Sequence, residues 1–331
     1  MHWSIRQSAS LMLRFAVIAM IALSASLASA QDNYPTRPIK LVVPYPPGAL
    51  TDLLARALGQ RLAIELKQPV IIDNKAGAGT LIGAEFVAKS PADGYTLLMA
   101  TSTTLGISPL LYTNSPIDPI KDFEPISRVG SVNFFLVANR EFKATTMQQM
   151  LEAVEHAPGK YNYASVGSGS PHHLFMEILK AQYGLSLQHV PYKGTAAALG
   201  DLLAARIDLM FLDATAAVPN IQAGKVIALG TSSAQQTTLL PSVPPIAATV
   251  PGFDWMAWQG IVAPAQTPRA IVMLLWAALQ RVQGSAEFKE ELHRFGMEPF
   301  PPQSPADFAA AISAERPRWA SVIKSSGAKV E

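Results

Sequence analysis

Three short segments of this chain concentrate residues that can hold a small anion without a charged side chain. The first, Pro44-Tyr45-Pro46-Pro47-Gly48-Ala49-Leu50-Thr51-Asp52, joins an apolar run to a helical pattern. Its prolines stiffen the loop, Gly48 permits close backbone approach, and Thr51 or Asp52 can cap the helix. Free amide hydrogens at a helix start form an anion site. The second runs from Tyr161 to His173: a strand, then Gly167-Ser168-Gly169-Ser170, then a helix with Pro171 in its first turn. Small and hydroxylated residues in succession turn backbone amides and hydroxyls toward one point, which suits a carboxylate or a phosphate. The third, Thr101-Ser102-Thr103-Thr104, follows a strand and can supply hydroxyl donors. Asp213, closing the strand Ile207–Leu212, can accept a hydrogen bond from a ligand amine or hydroxyl.

Each feature also has a plain structural reading: a tight strand–helix turn, a surface loop, a helix cap. Other patterns fall short of the chemistry they resemble. Gly77-Ala78-Gly79 with Gly83 is spaced G-x-G-x-x-x-G, and no strand ending in an acid follows about 20 residues on, as a dinucleotide site requires. His172, His173 and Glu177 lack the H-E-x-x-H arrangement of a metal site. Ser168, His173 and Asp213 contain the triad residue types, but no G-x-S-x-G elbow exists and their order matches no familiar triad. Trp255 and Trp258 read as core or cleft wall. No cofactor and no metal are expected.

The elements that must position these loops follow from apolar periodicity. Ile39–Pro44, Pro69–Asp73 and Tyr95–Ala100 read as strands, separated by helices from Thr51 to about Lys67 and over Leu81–Lys89. The pattern restarts after Phe123, with strands at Phe134–Ala138, Tyr161–Ser165, Leu187–Tyr192, Ile207–Asp213 and Val226–Ser232. Helices at Met147–His156, Pro171–Tyr183 and Ala196–Ala205 lie among them. Asp254–Ala263 is a further apolar run, and helices over Arg269–Val282, Ala286–Phe295 and Pro305–Lys324 close the chain. Alternating strands and helices imply parallel pairing with right-handed crossovers. Two such α/β units imply two domains with a cleft between them, where ligands sit beyond the carboxyl ends of strands.

Composition narrows the function. The chain has 331 residues, 49% of them hydrophobic and 15% charged, and no cysteine. That excludes disorder, a disulfide scaffold, a Cys-type metal centre and a cysteine nucleophile. A formal charge of +2 argues against a nucleic-acid partner. Residues 1–30 carry Arg6 and Arg14, no acid, an apolar stretch from Phe15 to Leu27, and Ala28-Ser29-Ala30. These are the marks of a signal peptide, cleaved after Ala30 on export to the periplasm. Cleavage leaves 301 residues with 24 basic and 24 acidic side chains, so charge recognition must be local.

From Tyr34 onward the chain closely resembles the exported solute receptors of tripartite tricarboxylate transporters, the Bug family. The likeness runs through Tyr34-Pro35-Thr36-Arg37-Pro38-Ile39, Val43-Pro44-Tyr45-Pro46-Pro47-Gly48, Gly77-Ala78-Gly79 and Asp93-Gly94-Tyr95-Thr96-Leu97-Leu98. It continues through Asp118-Pro119-Ile120-Lys121-Asp122-Phe123, Asn162-Tyr163-Ala164-Ser165 and His189-Val190-Pro191-Tyr192-Lys193-Gly194. Ala223-Gly224-Lys225 and Ala263-Pro264-Ala265-Gln266-Thr267-Pro268 complete it.

The resemblance implies an α/β, two-domain periplasmic binding protein fold of the second type, each domain a mostly parallel sheet flanked by helices. Residues 31–131 with 257–331 would form one domain and 132–256 the other. It implies a non-catalytic receptor, a monomer, that delivers a small organic acid to membrane permease subunits. The matched ligand-binding positions are Tyr45, Pro47, Gly48, Ala49 and Asp52 in one loop, and Ser165, Gly167, Ser168, Ser170 and His173 in another. Ser102, Thr103 and Asp213 complete the set. One departure stands out: the family commonly reads P-P-G-G-G-T-D, whereas this chain has Gly48-Ala49-Leu50. Two added side chains beside the site would restrict positive φ and narrow or dry the pocket, favouring a ligand with an apolar portion. Two other classes remain open: a sensor that signals to a membrane histidine kinase, and an exported hydrolase using Ser168, His173 and Asp213.

Overall fold

A computed structural model describes residues 34–328, so the leader and its cleavage point at Ala30 lie outside the described residues. In chain order the first part contains β1 (Ile39–Val43), α1 (Leu50–Leu66), β2 (Val70–Asn74), α2 (Leu81–Ala88), β3 (Thr96–Thr101), α3 (Ser108–Leu111) and β4 (Phe123–Val132). The middle contains β5 (Phe134–Ala138), α4 (Met147–Glu155), β6 (Asn162–Ser165), α5 (Pro171–Tyr183), β7 (Gln188–Pro191), α6 (Thr195–Leu203), β8 (Leu209–Asp213), α7 (Ala214–Gln222) and β9 (Ile227–Thr231). The last part contains β10 (Ala257–Pro264), α8 (Arg269–Gly284), α9 (Ala286–Arg294), β11 (Met297–Pro299) and α10 (Pro305–Ser326).

Apart from Lys40, β1 is apolar because both its faces are covered, as in any sheet sandwiched by helices. Leu41 and Val43 join Leu54, Leu58 and Leu62 of α1 on one face. Val42, between them, joins Leu81, Ala84 and Val87 of α2 on the other. Each fully buried leucine contributes about 2 kcal/mol of transfer free energy. The leucine spacing that marks α1 in the sequence is therefore the spacing of its buried stripe.

The strands form two sheets, in the orders β11-β4-β10-β3-β1-β2 and β7-β6-β8-β5-β9. Both are flanked by helices, and the α/β two-sheet class is as expected. The expectation of mostly parallel pairing needs correction. β1 is parallel to β2 and β3, and β6 is parallel to β7 and β8. β10 is antiparallel to β3 and β4, β11 to β4, and β5 to both β8 and β9. The cause is connectivity: the chain passes between the sheets twice, and strands that enter from the opposite sheet run against their new neighbours.

The outgoing passage is nearly continuous, since β4 and β5 are separated by Asn133 alone. The return lies between β9 and β10. The ten-residue β4 escaped the pattern because Pro125, Arg128 and Gly130 interrupt its apolar residues, and β11 has only three residues. The sheet containing β1 marks the first lobe and the sheet containing β6 marks the second.

Candidate functional site

The Pro44–Leu50 loop leaves β1 at its carboxyl end and opens the 17-residue helix α1. Its only left-handed residue is Gly48, at φ +83°. Ala49 sits at φ −68°, ψ 157°, an extended conformation open to any L residue. Alanine and leucine in place of glycines therefore cost this backbone nothing, and the expected restriction on positive φ does not arise there.

Asp52 fixes the loop from beneath. Its Oδ2 accepts the Gly48 amide at 2.8 Å and Arg56 Nε at 2.9 Å. Its Oδ1 accepts Asn74 Nδ2 at 2.9 Å, and the same amide group reaches the Tyr45 carbonyl at 3.0 Å. Burial pushes the Asp52 carboxyl up, but the hydrogen bonds from Arg56, Gly48 and Asn74 outweigh it and hold the group below the usual carboxylate range. Both carboxylate oxygens are thus occupied by protein donors. Ala49, at the cap position of α1, offers no side-chain acceptor, so the first-turn amides of Leu50, Thr51 and Asp52 have no side-chain cap. The positive end of a long helix dipole is thereby left facing the loop.

At the carboxyl end of β3, Tyr45 Oη lies 3.2 Å from Thr101 Oγ1, which in turn lies 3.0 Å from Thr104 Oγ1. Burial raises the Tyr45 phenol above its ordinary value, against hydrogen bonds from Thr101 and Thr103, so it stays neutral. Ser102 is buried and Thr103 half-buried at the start of a π-helical turn, Thr103–Ile107. Single π turns recur at functional sites.

The second-lobe loop, Val166–Ser170, is held internally. Ser165 Oγ lies 2.6 Å from His189 Nε2 and accepts the Gly167 amide at 3.1 Å. Ser170 caps α5, donating from Oγ to the Gly167 carbonyl at 2.7 Å. His173 Nδ1 accepts the Gly169 amide at 3.1 Å, which places the ring proton on Nε2. The rings of His173 and His189 stack 4.2 Å apart, and Tyr163 lies beside the pair, 4.9 Å from His189 and 6.3 Å from His173. Burial lowers both imidazoles, His189 to about 4, so the stack is neutral. Ser168, by contrast, is exposed at the loop tip.

Asp213 caps α7 by accepting the Ala216 amide at 3.2 Å and the Thr215 hydroxyl. It makes no hydrogen bond to His173, whose Nδ1 is committed to Gly169, so Ser168, His173 and Asp213 are not assembled as a triad. Glu177 is likewise committed, to Tyr163 Oη at 2.5 Å and Lys180 Nζ at 2.6 Å. Gly77 and Gly79 belong to a short 3-10 turn, and Gly83 lets α2 pack on Pro44; these glycines serve backbone packing.

The second-lobe loop meets the first lobe at α3. A β-carbon added to Gly169 would stand 2.3 Å from Leu111 Cδ1 of α3, in the other lobe. One added to Gly296, ahead of β11, would stand 3.0 Å from Thr215 of α7. The proposed residues thus divide by what they touch. Ser102, Thr103 and Ser168 carry hydroxyls at the ends of strands, while the amides of Gly48, Ala49 and Gly167 are spent on Asp52, the Pro46 carbonyl and Ser165. Asp52, Ser165, Ser170, His173 and Asp213 spend their polar atoms on the loops that carry those groups. Sequence reasoning assigned no role to Asn74, Leu111 or His189. Asn74 ends a strand next to Asp73, and His189 lies within a recognised motif; Leu111 gave no signal.

Known proteins share this architecture. Residues 54–328 match the model of the tripartite tricarboxylate transporter family receptor. The protein BugT of Bordetella pertussis is 34% identical over 320 residues, covering 96% of this chain and 98% of BugT. Among solved structures, R. palustris Rpa4515 with adipate is 34% identical, with a TM-score of 0.77 over 90% of this chain and all of that one. MatC from Rhodopseudomonas palustris, with bound malate, is 31% identical, with a TM-score of 0.73 over 88% of this chain and all of that one.

Proposed function

We propose that this chain, which belongs to the tripartite tricarboxylate transporter receptor family, closes its two lobes over a small organic carboxylate and delivers it to the membrane permease of a tripartite transporter. Residues 31–131 with 257–331 act as one domain and 132–256 as the other, hinged at the two passages between sheets. The protein works as a monomer in the periplasm after cleavage behind Ala30.

The observation that carries this reading is the uncapped start of α1 beneath the Gly48 turn, set against a second-lobe loop held in shape by Ser165, Ser170 and His173. A ligand carboxylate supplies the acceptors that the first-turn amides lack. Tyr45, Pro47, Gly48, Ala49, Ser102 and Thr103 form the first-lobe wall. Ser168 brings a further donor as the lobes close, and Ser165, Gly167, Ser170, His173 and Asp213 hold that edge in shape. Ligand then shifts the population toward the closed form. Asp52 acts by fixing the Gly48 turn. Relatives captured with adipate and with malate support a carboxylate as the ligand class.

Leu50, half-buried and packed against the core beside the turn, places an apolar side chain where the family has glycine. The pocket therefore favours a carboxylate with an apolar body over a tricarboxylate. Uptake tests the transport reading: deleting the gene abolishes accumulation of the bound carboxylate, whereas unchanged uptake with loss of carboxylate-dependent gene induction identifies a sensor. Amino-terminal sequencing of the exported protein tests the cleavage point, expected to give Gln31 first.

A further inference from the structure

Helix α5 carries two adjacent histidines with opposite fates. His173 is committed to the second-lobe loop, as described above. His172 is 7% exposed, and neither of its ring nitrogens has a hydrogen-bond partner. An unmet buried polar group costs about 1–3 kcal/mol. A phenylalanine would fill the same space without that cost, so the imidazole calls for a partner that arrives from outside the chain.

Its surroundings identify where that partner comes from. His172 meets Phe134 edge-on at 5.0 Å, and Phe134 is the residue that follows Asn133 at the passage between sheets. Phe175, one turn along the same face of α5, meets Phe134 edge-on at 5.2 Å. Trp319 of α10 stacks on Phe175 at 6.2 Å from the first lobe. The unmet imidazole therefore borders an aromatic cluster that spans the lobe boundary.

Building on the receptor function proposed above, we infer that His172 is a specificity-determining residue, which reads the end of the ligand remote from its carboxylate and selects an uncharged hydrogen-bonding group there. A hydroxyl or a carbonyl fits, because a neutral imidazole offers one donor and one acceptor. A second carboxylate does not. Burial pushes the imidazole down to about 4, against the opposing pull of the Asp213 carboxylate, so the ring brings no positive charge. Asp213 would also repel a second negative group.

Matched ligands test this. Straight-chain monocarboxylates of four to eight carbons, their ω-hydroxy derivatives and the corresponding dicarboxylates are titrated calorimetrically, together with benzoate, 4-hydroxybenzoate and terephthalate. At the best-bound skeleton, the hydroxy acid is expected to bind about tenfold more tightly than the plain acid, the worth of one buried hydrogen bond. His172→Phe is expected to erase that difference and leave the plain acid's affinity within about threefold, while His172→Gln retains part of it. Circular dichroism confirms that both variants fold. Equal binding of plain and hydroxy acids by the wild type, preference for the dicarboxylate, or an unchanged gap in both variants overturns the role of His172 and leaves the carboxylate reading intact. Failure of every acid in the panel to bind overturns both.

Discussion

Gly169 of the second lobe rests directly on Leu111 of the first, with room for a hydrogen atom and no more: a β-carbon there would come within 2.3 Å of Leu111 Cδ1. The same residue holds φ at +79° and donates its amide to His173. Gly169→Ala therefore combines backbone strain of about 1 kcal/mol with a wedge between the lobes. Carboxylate affinity is expected to fall at least about tenfold, and the ligand-induced contraction in solution scattering to shrink. Adding Leu111→Ala removes the wedge but not the strain, so the double variant recovers affinity in part. Full affinity in Gly169→Ala would show that closure does not pass through this contact.

The Asp52 anchor predicts a loss at a distance from any ligand atom. Asp52→Ala frees the Gly48 turn and strips Arg56 and Asn74 of their shared acceptor. Stability is expected to drop by about 2 kcal/mol, with weaker carboxylate binding besides. Chemical denaturation and calorimetry read the two effects separately. Asp52→Asn retains one acceptor oxygen and is expected to fall between them.

Leu50→Gly tests the pocket's apolar bias. The extended geometry at Ala49 shows that glycine is not required for the turn, so the change chiefly removes a side chain. The ligand ranking is expected to move toward di- and tricarboxylates, at a stability cost of about 1 kcal/mol for glycine at a helix start. An unchanged ranking in a thermal-shift panel would remove Leu50 from the account of specificity.

The buried imidazoles predict acid lability. His172 and His189 are held near 4 in the folded chain, against 6.5 for a free imidazole, chiefly by burial. Between those values the unfolded chain binds more protons than the folded one, so stability falls as pH drops through that window. Above about 6.5 the contribution is complete; below about 4 these groups add no further loss. Thermal midpoints measured between pH 4 and 7.5 should show this slope, and His189→Gln should flatten part of it while loosening the Ser165 contact. A slope identical in wild type and His189→Gln would contradict the assignment.

Much of this was legible in the sequence, for physical reasons. Leu54, Leu58 and Leu62 declare α1, since the stripe that repeats is the stripe that is buried. The Gly-rich and Pro-rich loops declare themselves by composition. What the sequence concealed was pairing direction and partnership. Nothing local in β10 says that it runs against β3, because that follows from two passages between lobes far apart in the chain. Asp52 looks like a ligand residue by position, yet its three donors come from the turn, from the next helical turn and from β2. His173 and His172 are neighbours of one type, and only the packing around each separates a loop support from a free imidazole.

The central claim is that the lobes close on a carboxylate. Its most direct measurement is the thermal midpoint of the mature protein against mono-, di- and tricarboxylates, aromatic acids and amino acids. A ligand at 100 times its dissociation constant stabilises the folded chain by about 2.7 kcal/mol. At least one carboxylate is expected to raise the midpoint by several degrees, with the gain reduced by about half or more in Gly169→Ala. A flat response to every carboxylate, in a protein that unfolds cooperatively, would contradict the account.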